Sequence, residues 1–71
     1  MPMSNILRAL RSRHPLETPR IRSVASRIHI SPLSDTEVER LWAVYSFDRY
    51  GDDWVKVDDE ELANFESWLK Q

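Results

Sequence analysis

Catalysis in a chain this small would start from a nucleophile beside a base, a metal cluster, or carboxylates set in a cleft. The serines have no histidine companion that makes such a pair. His14 stands beside Pro15 and His29 lies in an apolar-flanked run, and both read as surface or structural histidines. The acidic runs Asp52-Asp53 and Asp58-Asp59-Glu60-Glu61 raise the question of calcium. A calcium loop places ligands at positions 1, 3, 5 and 12 around a central glycine, and that spacing is absent. These carboxylates read as favourable charges at a helix N-terminus and as a solvated face. There is no glycine-rich phosphate loop, and no cysteine to build a thiolate metal site or a disulfide framework. The expectation is a binding protein: no enzyme, no metal and no cofactor.

Two features carry binding chemistry. The first is arginine, which outnumbers lysine eight to two and offers a planar fork suited to phosphates and carboxylates. Six of the eight (Arg8, Arg11, Arg13, Arg20, Arg22 and Arg27) fall in residues 1–33 against the single acid Glu17, a balance of +5. Residues 34–71 carry eleven acids against Arg40, Arg49, Lys56 and Lys70, a balance of −7, so a net charge of −2 conceals a basic arm joined to an acidic module. Such asymmetry suggests contact with nucleic acid or another protein. The arm arginines are the candidate nucleic-acid contacts, and internal pairing with the acidic module is the competing use for them. The second feature is an apolar surplus. Val44, Phe47 and Trp68 lie off the apolar stripes of their helices and, with Asp52 and Asp53, are the candidate partner-binding residues.

The elements that position these residues are legible between Leu33 and Leu69. Ser34 followed three residues later by Glu37 is a capping box, with Leu33 and Val38 as its hydrophobic staple. The same device recurs with Asp58, Glu61, Val57 and Leu62. Val38, Leu41, Trp42 and Tyr45 form one helical stripe, and Leu62, Phe65 and Leu69 another. Gly51, the only glycine, stands where a left-handed cap would close the first helix. Trp54, Val55 and Val57 suit a short extended link. The fold class is therefore mainly α: a small helical hairpin, with capped helices at about 35–49 and 59–70, preceded by a flexible basic arm.

The middle of the chain bears on size. A module of residues 34–71 sits near the limit, about 40 residues, below which domains need a metal, crosslinks or a partner. Residues 19–30 are therefore expected to pack onto the hairpin, adding Ile21, Val24 and Ile28 to its core. Thr18-Pro19 suits a helix start, with threonine as cap and proline first in the helix. Helix through about residue 27 followed by an extended linker is the favoured reading, giving three short helices. The alternation Arg27-Ile28-His29-Ile30 supports a rival, in which residues 28–30 pair with 54–57 as two strands. Residues 1–18 form the arm, in which Ser4, Ile6, Leu7 and Leu10 suit about two turns of marginal helix before Pro15. The start is a poor secretory signal, and no apolar run approaches the roughly 18 residues of a membrane span. The expectation is a monomer in the cytoplasm, without membrane contact.

A helix-turn-helix DNA reader is disfavoured, because the hairpin that would enter the groove is acidic and phosphate contact needs the opposite sign. The run LSDTEVERLWAVYSFDRYGDDWVKVDDEELANFESWL resembles small phage-encoded transcription regulators that bind host RNA polymerase. The likeness lies in the capped helix with its Leu41-Trp42 pair, the Tyr45-Ser46-Phe47 step, the Trp54-Val55-x-Val57 link and the second capped helix ending Phe65-x-x-Trp68-Leu69. It covers residues 33–69, and no family contact residue is carried over. The resemblance implies a phage protein in the host bacterial cytoplasm that binds a host RNA polymerase subunit, inhibits initiation and acts as an antiterminator, with nascent RNA as a further contact of the basic arm. The alternative is an acidic inhibitor of a host nucleic-acid-processing or defence complex, working by charge mimicry through Asp52, Asp53, Asp58 and Asp59. A plainer adaptor, with both halves touching protein only, is the third reading.

Overall fold

A computed structural model of the chain describes residues 13–29 and 32–71. It holds three helices: α1 (Thr18–Ile28), α2 (Asp35–Tyr50) and α3 (Asp59–Leu69). No strand occurs among the described residues. Ile28 ends α1 rather than starting a strand, and Ile30 lies outside the described residues.

The caps decide where α2 and α3 begin. Ser34 Oγ accepts from the Glu37 N–H at 3.2 Å while the Ser34 N–H donates to Glu37 Oε1 at 3.5 Å, so the first box is complete. At α3 only half the device forms. Asp58 Oδ1 accepts from the Glu61 N–H at 2.8 Å, but the Glu61 side chain does not return to its cap. It accepts instead from the hydroxyls of Tyr45 and Tyr50 on α2. Gly51 closes α2 with φ +72, its N–H donating to the Phe47 carbonyl at 2.9 Å. The start of α1 falls one residue earlier than Thr18-Pro19 suggests. Glu17 is the N-cap and makes no side-chain cap bond, and Pro19 occupies the second position. The Thr18 hydroxyl is drawn elsewhere, donating to the His14 carbonyl at 2.8 Å and bonding Glu39 Oε2 at 3.1 Å.

α1 lies against both other helices, which touch each other less than either touches it. The hairpin is thus a wedge that α1 fills. Ile21, Val24 and Ala25 from α1 join Val38, Trp42 and Tyr45 from α2, Val57 from the link and Phe65 from α3 in one core. Ile28 stays half-buried at the edge. Ring edges organise the centre: the Trp42 centroid lies 4.9 Å from Phe65 and 5.1 Å from Tyr45, spacings at which tilted aromatic pairs are favourable. The size argument is met by this packing, because helices α2 and α3 alone leave the apolar faces of Val38 and Phe65 with too little to bury against.

Between Gly51 and Asp58 the chain is extended but unpaired as a sheet. Side chains satisfy its backbone instead. The Trp42 Nε1–H donates to the Val55 carbonyl at 3.0 Å, and Arg20 donates to the Val57 carbonyl at 3.1 Å. The Val55 N–H donates to Ser46 Oγ at 3.1 Å, and that hydroxyl donates to the Trp42 carbonyl at 2.8 Å. Ser46 is fully buried. A buried backbone N–H without a partner costs as much as a lost hydrogen bond, so this serine is what allows the link to lie on α2.

Candidate interaction surface

The side of α2 turned away from the core carries Thr36, Arg40, Ala43, Val44 and Phe47, which share a face at about 100° per residue. Phe47 is 68% exposed and Val44 50% exposed. They line a shallow groove of about 460 Å³ with Ala43, Asp48 and Asp53. The groove has an apolar floor and an acidic rim, with Asp52 exposed beside it. Gly51 turns the chain so that Asp52 and Asp53 return alongside the end of the helix, and Ser46 and Trp42 then hold the following residues in place.

A second cleft of about 510 Å³ adjoins the first at Ala43 and Asp53 and is lined by Arg13, His14, Thr36, Glu39, Arg40 and Trp54, among others. The His14 imidazole is stacked on the Trp54 indole, with centroids 3.7 Å apart and planes 7° from parallel. Trp54 Nε1–H donates to Glu17 Oε2 at 3.0 Å, and the Arg13 N–H donates to Glu39 Oε2 at 2.9 Å. Residues 13–18, the end of the stretch read as the arm, are therefore laid on the module. His14 takes the structural role expected of it, through a ring contact that local sequence does not announce.

The arginines divide sharply. Arg8 and Arg11 lie outside the described residues. Arg20 pairs with Asp59 at 2.8 Å and Arg27 with Glu66 at 3.2 Å, while Arg22 bonds Asp35 and the Leu33 carbonyl. These three, expected as nucleic-acid contacts, are turned onto the acidic module. The reason is geometric: an α1 seated between two acidic helices brings its outer arginines next to their first turns and flanks. As half-exposed pairs they contribute little stability each, yet their hydrogen bonding is committed. Arg13 and Arg40 are different. Among the described residues no hydrogen bond or ion pair engages either guanidinium, and both line the same cleft.

Trp68 also departs from expectation. It is half-buried, stacked near Phe65 at 6.1 Å and edge-on to Tyr45 at 5.5 Å, and its Nε1–H donates to Asp48 Oδ2 at 2.8 Å. It thus serves as a packing residue that also anchors one acid of the groove rim. Sequence reasoning missed Arg40, Asp48, Ala43 and the His14–Trp54 stack. Arg40 and Ala43 had a signal, since both share the helical face of Phe47; the stack had none.

Contacts to the half-buried Glu61 carboxylate shape the far end of α2. Burial, and then Glu61, holds the Tyr45 hydroxyl well above the ordinary tyrosine range. The hydrogen bond to Glu61 raises Tyr50 in the same direction. Both hydroxyls are thereby kept as donors to one carboxylate, tying α2 to α3 below the groove.

Comparison of the chain with protein-family models, curated proteins and solved structures found no match in any of the three.

Proposed function

We infer that this chain is a binding protein that docks the outer face of α2 onto a basic, apolar-pocketed protein surface. The reading is carried by one observation: Phe47 and Val44 stand exposed side by side in a groove rimmed by Asp48 and Asp53. An aromatic anchor within a charged rim is the composition of an interface hot spot, and charge complementarity selects a basic partner. With the likeness of residues 33–69 to phage transcription regulators, the partner proposed is a host RNA polymerase subunit in the bacterial cytoplasm. Docking there inhibits initiation and supports antitermination, while the arginines preceding α1 face the emerging RNA. No catalytic step belongs to this function.

Charge mimicry is less well supported by the geometry. A mimic needs its acids free and arrayed, whereas Asp35, Asp59 and Glu66 are paired with the arginines of α1. Asp52 and Asp53, on the groove side, carry no such pair among the described residues.

The test is capture of tagged protein from host lysate, parent beside Phe47→Ser. Recovery of polymerase subunits by the parent, reduced at least about 30-fold by the variant as for a loss of roughly 2 kcal/mol, is the expected result. Phe47→Ser should leave stability within about 0.5 kcal/mol, since the side chain is exposed. Recovery of a nuclease complex in place of polymerase, insensitive to Phe47, would sink the proposal.

A further inference from the structure

The exposed face of α2 carries opposite charges on either side of an apolar centre. Val44, half exposed, stands at that centre. Arg40 lies four residues before it and Asp48 four residues after it, and both are exposed. By helical geometry each is turned roughly 40° from Val44, in opposite senses. Phe47 flanks Val44 on the side to which Arg40 is turned, and its ring is 68% exposed. Asp48 and Asp53 rim the groove that Val44 and Phe47 floor. No hydrogen bond or ion pair engages the Arg40 guanidinium among the described residues. With Glu39 and Asp53 sharing its cleft, the face holds both signs and presents no single field.

We propose that this groove receives Arg40 of a second copy of the chain, in an antiparallel, two-fold pairing of α2 on α2 centred at Val44. Reversing one helix about Val44 brings position 40 of each copy level with position 48 of the other. The same reversal lays the Arg40 stem of one copy along the Phe47 ring of the other. A guanidinium between an aromatic face and a carboxylate is favoured by both neighbours. The small side chain of Ala43, beside the axis, allows the two helices to approach closely. Two-fold closure uses the patch once in each copy and leaves nothing open to propagate. Charge complementarity selects the occupant: a basic surface answers only the acidic end of the face, whereas a reversed copy answers both ends. The net charge of −2 keeps repulsion between copies low. The pairing covers the face that docks, so a second copy and a host partner exclude each other; it holds whatever that partner is.

The experiment is sedimentation equilibrium of the full chain alone, across a concentration series. A reversible monomer–dimer equilibrium is expected, with a dissociation constant between about 10 μM and 1 mM, as suits a small transient interface. Arg40→Asp and Asp48→Arg each place like charges at both symmetry-related contacts, and each should weaken pairing at least about tenfold. Mixed in equal amounts, the two variants regain both opposite-charge contacts and should form a one-to-one heterodimer near the parent affinity. Arg49→Asp makes the same change of charge on another side of α2 and should pair as the parent does. Circular dichroism checks that each variant is folded, above all Asp48→Arg, since Asp48 accepts from the Trp68 indole. Phe47→Ser alters an exposed side chain and should lose the dimer without that concern. A chain that stays monomeric to about 1 mM overturns the pairing. So does a dimer indifferent to Arg40→Asp or to Phe47→Ser, or a mixture of folded variants that gains nothing over either alone. Capture of polymerase by the parent is read separately, so the pairing can fail while the docking stands, and the reverse.

Discussion

Replacing Ser46 with alanine tests whether one buried hydroxyl holds the link between α2 and α3. The hydroxyl accepts from the Val55 N–H at 3.1 Å and donates to the Trp42 carbonyl at 2.8 Å. The second bond is the lesser loss, because a helical carbonyl keeps its own helix donor and side-chain back-bonding of this kind is slightly unfavourable to the helix. The first matters more: its removal strands a backbone donor in a part-buried position, at about 1–3 kcal/mol. Alanine returns roughly 0.5 kcal/mol of helix propensity. The expected net loss is about 1–2 kcal/mol, or a fall in melting temperature of roughly 5–15 °C for a chain of this size. Urea unfolding followed by tryptophan fluorescence gives the energy, and amide exchange at Val55 should lose protection before the α2 core does. Because the link carries Asp53 to the wall of the Phe47 groove, docking there should weaken as well. Ser67→Ala, an exposed position, serves as control. Unchanged or increased stability in Ser46→Ala, with Val55 still protected, would show that the link is held by packing and that the hydrogen-bond reasoning is wrong.

Two further outcomes are expected. A Cβ at Gly51 would meet nothing within 4 Å, so the cost of Gly51→Ala comes from the left-handed backbone alone. It should be about 1–2 kcal/mol in chemical unfolding, with Gly51→Asn costing less; equal stability of all three would mean the cap is not needed. Stability should also fall as pH rises above 10.0, the ordinary tyrosine value. There the folded chain retains protons on Tyr45 and Tyr50 that the unfolded chain has released, so unfolding is favoured by proton loss; below that value the contribution is fully present. The slope should approach about 1.4 kcal/mol per pH unit from Tyr45, over a window that Glu61→Gln narrows without abolishing, because burial is the larger cause; a flat profile through this window in the parent would refute the raised hydroxyls.

What the sequence determined by itself is everything governed by neighbours within a few residues. The capping box at Ser34, the Asp58 cap, the stop at Gly51 and the stripes of α2 and α3 all depend on backbone groups one to four residues away. Their ends accordingly fall within a residue of expectation: 35–50 against 35–49, and 59–69 against 59–70. That Phe47 and Val44 project off the core stripe was legible for the same reason, since a helical wheel needs only the period; whether the amino-terminal segment covers them was not. The burial of Ile21 and Val24 followed from size, because so few residues cannot enclose a core without them.

Tertiary structure decided the pairings, which depend on what arrives from far along the chain. Glu61 had a local partner in its own cap and found two tyrosine hydroxyls on α2 instead. Trp68 projects off its helix stripe, yet Tyr45, Phe65 and Asp48 cover it. The six arginines of the first half look alike in sequence. Three became ion-pair partners because α1 lies between two acidic helices, and Arg13 was left beside Arg40 with a histidine–tryptophan stack. Charge type is written in the residue, but whether a charge is spent or available depends on which opposite charge the fold places within about 4 Å.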